Sequence, residues 1–477
     1  MADIIAAFAT APGSAGLSVL RISGEGSAAL ADRVFSFGTI NKNVVDANSK
    51  RTVTSMPGYK AAFGYVHVLD HPEEPIDQCI LLRFIAPYSY TGEEQVELQI
   101  HGGAALRRAL LEEVLRAGAT LAEAGEFTKR AFLNGKMDLT QAESVMDLIQ
   151  AQTYRQQRAA MQHLQGETLS YVNRIREDTY QLLASLEVDI EYPEYEDFEY
   201  THEASIEALK KILIDLKSLS SRKAQGQILR EGLQVVLLGE PNVGKSSLLN
   251  ALAGEERAIV TEIAGTTRDA IEIHMDMDGI PVTLVDTAGI RESDDVVERL
   301  GVERSANYRE NADLLLMVVP ADEQESMFSQ IEQVLENNRT KPFLLLVNKM
   351  DLISDQDFLI SVEARAREMY GGFLALIPMS ASRSWGLEQL KSEIVRYYES
   401  LASSGGGDII VSSIRQEKLI EKGENLVMQV LQDIEHLPLD ILASSVRQLA
   451  EFLGEITGED VSEQMVEEIF ARFCIGK

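Results

Sequence analysis

The chain has 477 residues, 45% of them hydrophobic and 25% charged; this balance excludes disorder as the dominant state and, at ~100–200 residues per domain, allows about two to four domains. Its 44 basic side chains face 75 acidic ones, a formal net charge of −31 that opposes broad non-specific binding to nucleic acid, so any RNA contact must be confined or shared with another protein. No stretch approaches the ~20 apolar residues of a membrane span. Cys79 and Cys474 offer neither a disulfide framework nor zinc-ligand spacing, and a cytoplasmic location is expected.

The opening MADIIAAFATAPGSAG carries an acid at position 3 and no basic region ahead of its apolar run, which argues against a secretory signal. Residues 1–120 mix short alternating segments with Gly and Pro turns and form the first expected domain. GLSVLRISG and QVELQIHGG alternate with period two, as half-buried strands do; Val96, Leu98 and Ile100 share one face, leaving Glu97, Gln99 and His101 on the other.

Over 121–225 the period becomes helical. Asp138 and Gln141 have capping-box spacing ahead of a run carrying Val145, Met146 and Ile149, and Val172, Ile175, Leu182 and Leu186 recur at helix-face spacing. The acidic EYPEYEDFEY, 191–200, breaks the pattern and predicts a loop. Residues 226–397 alternate strand-like and helical runs, which suggests βαβ units and a parallel sheet. After SSGGG, 403–407, helical patterning returns, so 398–477 reads as the second part of the helical domain. The fold class is therefore multidomain α/β and α: an N-terminal α+β domain and a helical domain of two chain segments with an α/β domain inserted. Two separate helical domains would give the same pattern.

The strongest chemistry lies at GEPNVGKSS, 239–247, which satisfies G-x-x-x-x-G-K-[ST] between the apolar strand LQVVLLG and the helical SLLNALAG. Asn242, Val243, Gly244, Lys245, Ser246 and Ser247 lie along this loop. Its backbone N–H groups and the helix N-terminus suit anionic phosphates. Lys245 is placed to reach the β- and γ-phosphates, and the Ser246 hydroxyl to ligate Mg²⁺. GTTRD, 265–269, supplies Thr267 for a second Mg²⁺ contact. DTAG, 286–289, closes a strand paired through the Asp278-Gly279 turn; Asp286 is placed to hold Mg²⁺ through water and the Gly289 N–H to meet the γ-phosphate.

NKMD, 348–351, follows the apolar PFLLLV, and Asp351 can accept two hydrogen bonds from the guanine N1–H and exocyclic amine, a donor pair that adenine lacks. SAS, 380–382, completes the base pocket with Ser380, Ala381 and Ser382. Four motifs in this order and spacing define a guanine-nucleotide-binding domain. In Ras-type GTPases a Gln just after DTAG orients the attacking water. Here Ile290 holds that position and can neither donate nor accept. Arg291 and Glu298, in RESDDVVERLGVER, could swing toward the phosphate; the plainer reading is a solvated charged helix.

TAPG…VLRISG, SYTGEEQVELQIHGG, GEFTKRAFLNGKMDLTQAE, the GTPase block and the terminal FCIGK together resemble the MnmE (TrmE) family of tRNA-modification GTPases, of the TrmE-Era-EngA-YihA-Septin-like superfamily, over essentially the whole chain. The resemblance implies a folate-binding-like N-terminal domain that dimerises and holds a tetrahydrofolate derivative (5-formyl- or 5,10-methylene-) as one-carbon donor. It implies work with the FAD-containing partner MnmG, as a heterotetramer, to add an aminomethyl or carboxymethylaminomethyl group to C5 of the tRNA wobble uridine.

Carried onto this sequence, the folate contacts fall on Arg21, Glu97, Lys136 and Lys477. The family's K⁺ falls on Asn242 and Thr266 with the main chains of Thr261 and Ile263, a cation that offsets charge developing between the phosphates. Nucleotide contacts extend over Thr261, Glu262, Ile263, Ala264, Gly265, Thr266 and Thr267, then Asp286, Thr287, Ala288 and Gly289, and Asn348, Lys349 and Asp351. Glu298 takes the water-orienting role, with Arg268 and Arg291 as switch residues. Cys474, in the FCIGK tail, reads equally as an accessible nucleophile or as a buried anchor. The chain departs from the family pattern at Val243, where NAGKSS is usual, and at PGSAG, where an Arg- and Gly-rich turn is usual. Two rival readings are a ribosome-assembly GTPase and a folate enzyme acting alone with a regulatory GTPase domain.

Overall fold

The computed structural model describes residues 3–39, 44–45, 51–191, 202–221, 223–255, 259–260, 271–286, 311–322, 327–335, 341–353, 357–401, 411, 413–459, 461–473 and 475–476. The chain divides into two compact units, residues 1–146 with 454–477 and residues 147–453.

In the first unit the described strands are β1 (Ile5–Phe8), β2 (Ala15–Ser23), β3 (Phe35–Thr39), β4 (Val44–Val45), β5 (Lys60–Val68), β6 (His71–Phe84), β7 (Gln95–Gly102) and β8 (Thr120–Leu121). They form a sheet in the order β4-β3-β5-β6-β7-β2-β1-β8. The period-two pattern is realised: Val96, Leu98 and Ile100 are fully buried with Leu20 and Ile22 of β2 and with Leu110 and Val114 of the helix Ala104–Arg116. The alternation leaves Arg21 and Glu97 on the other face, directly opposite each other in the β2–β7 register.

Residues 121–146 pack into this unit through Phe127, which is buried with Ile5 and Ala7. The helix Leu139–Gln150 starts at the expected capping box: Asp138 Oδ1 accepts from the Gln141 N–H at 3.1 Å, and Gln141 Oε1 accepts from the Asp138 N–H at 3.0 Å. Its apolar contacts run through Leu139, Ala142 and Met146 to Phe470 and Phe473 of the C-terminal segment. Of the expected run Val145, Met146 and Ile149, only Met146 is buried and Ile149 is 43% exposed, because the partner residues set the buried face.

In the second unit the described strands are β9 (Leu233–Leu238), β10 (Ile259–Val260), β11 (Ile271–Met277), β12 (Ile280–Asp286), β13 (Leu314–Pro320), β14 (Phe343–Asn348) and β15 (Phe373–Pro378), in the order β10-β11-β12-β9-β13-β14-β15. From β12 to β15 neighbours pair in parallel, as the βαβ pattern predicts. The edge is antiparallel, since β11 and β12 form a hairpin.

Asp278 (φ 50°) and Gly279 (φ 86°) make its two-residue turn. A Cβ on Gly279 would lie 2.7 Å from Arg155 Cγ. Gly279→Ala should therefore lower stability by about 1–3 kcal/mol through left-handed strain and displacement of Arg155, read as a lower unfolding midpoint in a thermal melt.

Helices from both sides of the sheet in sequence pack on each other. Gly423, in Ile414–Asp433, lies between Leu216 of His202–Ser220 and Leu449 of Leu439–Thr457. Val172, Ile175, Leu182 and Leu186 are buried along Glu167–Glu191, as their spacing predicts. Of the loop expected at 191–200, Glu191 is still the last residue of the helix Glu167–Glu191, and 192–200 lie outside the described residues, as does SSGGG at 403–407. Among the described residues no helix is long and apolar enough to cross a membrane.

Candidate functional site

The phosphate loop, Asp286, NKMD and SAS follow or end parallel strands at their carboxyl ends, where open α/β sheets bind ligands. β9 runs into the loop at 239–244, and the helix Lys245–Glu255 follows. Gly239 (φ 145°) and Gly244 (φ 100°) are required for shape: a Cβ on the first would lie 2.4 Å from the Val318 carbonyl oxygen, and on the second 2.2 Å from Asn348 Nδ2. Asn242 also takes positive φ, 66°, and its side chain is exposed. Val243 is buried, so its bulk is absorbed by the core rather than by the loop's concave side. Ser246 and Ser247 are exposed at the helix N-terminus.

Lys245 is buried, and its Nζ donates to the Gly239 carbonyl at 2.6 Å and the Glu240 carbonyl at 2.8 Å. Burial holds its ammonium below the usual lysine range, with Asp286 and Glu240 acting in the opposite sense. Asp286 is the buried last residue of β12. The Ser246 hydroxyl and the Asp286 carboxylate are hard oxygen donors of the kind Mg²⁺ takes.

The base-reading loops are braced from two sides. Asn348 ends β14, 3% exposed; its Nδ2 donates to the Val243 carbonyl at 2.7 Å and its Oδ1 accepts from the Ala381 N–H at 3.0 Å. The same amide thus ties the phosphate loop to the SAS segment. Asp351 Oδ1 accepts from the Ser380 hydroxyl at 2.7 Å, and Arg383 Nε lies 3.5 Å from its Oδ2. The Ser380 hydrogen bond, helped by the Arg383 charge, holds the Asp351 carboxyl below the usual range, so it stays ionised as pH falls through that range. Ser382 lies 3.2 Å from Ser380 through its hydroxyl, and Lys349, at φ 62°, extends toward Asp322 at 3.6 Å. Backbone bonds of 3.0 and 3.1 Å between Ser380 and Trp385 close the loop.

A second polar cluster lies on the face of the first unit's sheet that Phe127 covers. Arg21 Nε donates to Glu97 Oε1 at 3.0 Å, with the two side chains 14% and 15% exposed. The guanidinium stands 4.9 Å above the Tyr90 ring and 5.4 Å from the Phe127 ring centre. Gln95 Nε2 donates to the same Glu97 oxygen at 3.1 Å. A part-exposed guanidinium and carboxylate beside the Tyr90 ring suit a flat ligand that carries hydrogen-bond donors. Lys136 is exposed and donates from Nζ to the Pro87 carbonyl at 3.0 Å, with no hydrogen bond to Arg21 or Glu97 among the described residues.

The structure therefore brings Arg21 to Glu97, Asn348 to Val243 and Ala381, and Asp351 to Ser380. Thr261, Glu262, Ile263, Ala264, Gly265, Thr266, Thr267, Thr287, Ala288, Gly289, Arg291, Glu298, Cys474 and Lys477 lie outside the described residues. The other cysteine, Cys79, is buried, and desolvation pushes its thiol up. Sequence reading passed over Tyr90, Phe127 and Gln95, although SYTGEEQ and GEFTKR contain them; what it lacked was the register that brings them around Arg21.

Two family models match the chain: "MnmE helical domain" over residues 139–474 and "GTP-binding protein TrmE N-terminus" over residues 4–136. Among curated relatives, the "tRNA modification GTPase MnmE" of Bacillus licheniformis is 38% identical over 478 residues, covering 100% of both chains. Those of Carboxydothermus hydrogenoformans, 38% identical over 479 residues, and Bacillus subtilis, 37% over 478, likewise cover 100% of both.

Proposed function

Because the chain belongs to the MnmE (TrmE) family of tRNA-modification GTPases, and so hydrolyses GTP in tRNA modification, we propose that its hydrolysis is potassium-dependent and is coupled to modification at C5 of the wobble uridine. In this reading a homodimer works in the cytoplasm with an FAD-containing MnmG-like partner, and a tetrahydrofolate derivative supplies the one-carbon unit when bound. Family membership favours this over a ribosome-assembly role.

The observation that carries the GTPase reading is the braced pair Asn348 and Asp351. The first locks the phosphate loop to the base loop, and the second presents an ionised carboxylate to a guanine edge. Lys245 and the loop amides bear on the phosphates, where negative charge builds as the γ-phosphoryl group leaves. Ser246 and Thr267, with Asp286, would hold Mg²⁺, which would supply positive charge to offset part of that build-up. K⁺ would sit on Asn242, Thr261, Ile263 and Thr266; Asn242 fits, because its exposed amide stands on a positive-φ turn of the phosphate loop and offers a neutral oxygen. Glu298 orients the attacking water, Arg291 acts as a switch residue, and Cys474 lies in the modification machinery. Arg21, Glu97, Lys136 and Lys477 hold the folate.

Steady-state GTP hydrolysis in potassium against sodium at matched ionic strength tests this reading. We expect a rate about tenfold or more higher in potassium, given what one well-placed charge contributes at a phosphoryl-transfer site. Equal rates would remove the cation from the mechanism and leave Asn242 as an ordinary loop residue.

A further inference from the structure

We propose that Gln95 is a positioning residue of the N-terminal ligand site, holding the Glu97 carboxylate so that one oxygen is committed to the protein and the other is free for ligand. The inference rests on the tetrahydrofolate reading of the Arg21–Glu97 cluster and deepens it. Gln95 is 1% exposed. Strand alternation puts its side chain on the Glu97 face of β7, opposite Ser23 of β2 and Phe84 of β6. Its Nε2 donates to Glu97 Oε1 at 3.1 Å, the oxygen that also accepts from Arg21 Nε at 3.0 Å. Glu97 Oε2 carries no hydrogen bond among the described residues.

The other end of the amide explains why this is a functional arrangement. Gln95 Oε1 is buried with no hydrogen-bond partner among the described residues. A buried acceptor left unpaired is destabilising, and an apolar side chain of the same shape would avoid that cost. For folding alone a methionine would serve this position better. What methionine cannot do is donate to Glu97. Two donors converging on Oε1 fix the carboxylate plane against Arg21 and leave Oε2 to accept from N–H groups that a pterin ring would offer. That cost is borne beside a carboxylate that the same amide orients.

Gln95→Met in the full chain separates stability from binding, with 5-formyl-tetrahydrofolate as the titrant. We expect the thermal midpoint to stay level or rise by a few degrees while Kd weakens about tenfold or more, the usual size of a lost hydrogen bond to a charged group. In a Glu97→Gln background the same substitution should change Kd less than twofold, because the group it orients has been altered already. Gln95→Leu replaces Gln95→Met if methionine is not accommodated.

Several results would overturn the role: unchanged Kd in Gln95→Met, loss of binding in step with loss of stability, an undiminished effect in the Glu97→Gln background, or failure of both apolar variants to fold. Wild-type protein that binds no 5-formyl-tetrahydrofolate overturns the folate reading itself, a result distinct from a wild type that binds and a variant that binds equally well.

Discussion

Asn348→Ala should abolish guanine-nucleotide binding at micromolar protein while leaving the first unit folded. The side chain makes two buried hydrogen bonds, to the Val243 carbonyl at 2.7 Å and from the Ala381 N–H at 3.0 Å. Truncation leaves both backbone groups without this partner in a site where Asn348 itself is 3% exposed. An unpaired buried group costs about 1–3 kcal/mol, so the pair puts roughly 2–6 kcal/mol at stake, a large share of the 5–15 kcal/mol typical of a whole domain.

The second unit should melt earlier, and GDP affinity should fall about a hundredfold or more, since phosphate loop and base loop no longer hold a common spacing. Asn348→Asp is the sharper control. It retains an acceptor for Ala381 but sets a carboxylate oxygen against the Val243 carbonyl, so it should not rescue. Titration calorimetry with GDP, beside a thermal melt, reads both effects. Near-normal affinity in Asn348→Ala would show that the brace is dispensable.

The second large effect falls on Arg21. Its guanidinium, 14% exposed, pairs with Glu97 at 3.0 Å and lies against Tyr90 and Phe127. Arg21→Ala leaves a part-buried carboxylate without its main counter-charge and opens the aromatic face. For a pair that keeps some solvent contact, we expect roughly 1–3 kcal/mol, which is about a 10- to 100-fold loss of 5-formyl-tetrahydrofolate affinity. Arg21→Lys should recover only part of this, because an ammonium cannot reproduce the planar fork that meets both carboxylate and rings. GTP hydrolysis by the same variant should be unchanged, which separates a local defect from misfolding. Full recovery with lysine would reduce the residue to a point charge.

How much of this was legible in sequence depends on whether the information was local. The phosphate loop, NKMD and SAS were readable because each function needs particular residue types within a few positions. The face carrying Glu97 followed from period-two alternation, and the Asp278-Gly279 turn from the demand for positive φ at both positions.

Long-range facts were not readable. Helical periodicity in 139–150 could not tell that Phe470 and Phe473 cover Leu139 and Met146, and so could not place Ile149 outside. NKMD marks Asn348 as part of a base pocket, but its bond to Val243 joins residues that are neighbours only through the parallel β9–β13–β14 pairing. Tyr90 and Phe127 lie against Arg21, and Gln95 against its partner Glu97, from two stretches of chain that no spacing rule connects. Nor does the motif around Lys136 show that its described hydrogen bond goes to the Pro87 carbonyl.

Everything proposed for the second unit depends on Asp351 presenting its carboxylate to guanine. Equilibrium competition of GDP and ADP for the full-length chain, repeated with Asp351→Ala, tests that claim most directly. The account predicts that GDP binds wild type at least about a hundredfold more tightly than ADP, two charge-assisted hydrogen bonds being worth roughly 3 kcal/mol or more together, and that Asp351→Ala erases the difference. Equal affinities in the wild type, or a preference that survives the loss of Asp351, would contradict it.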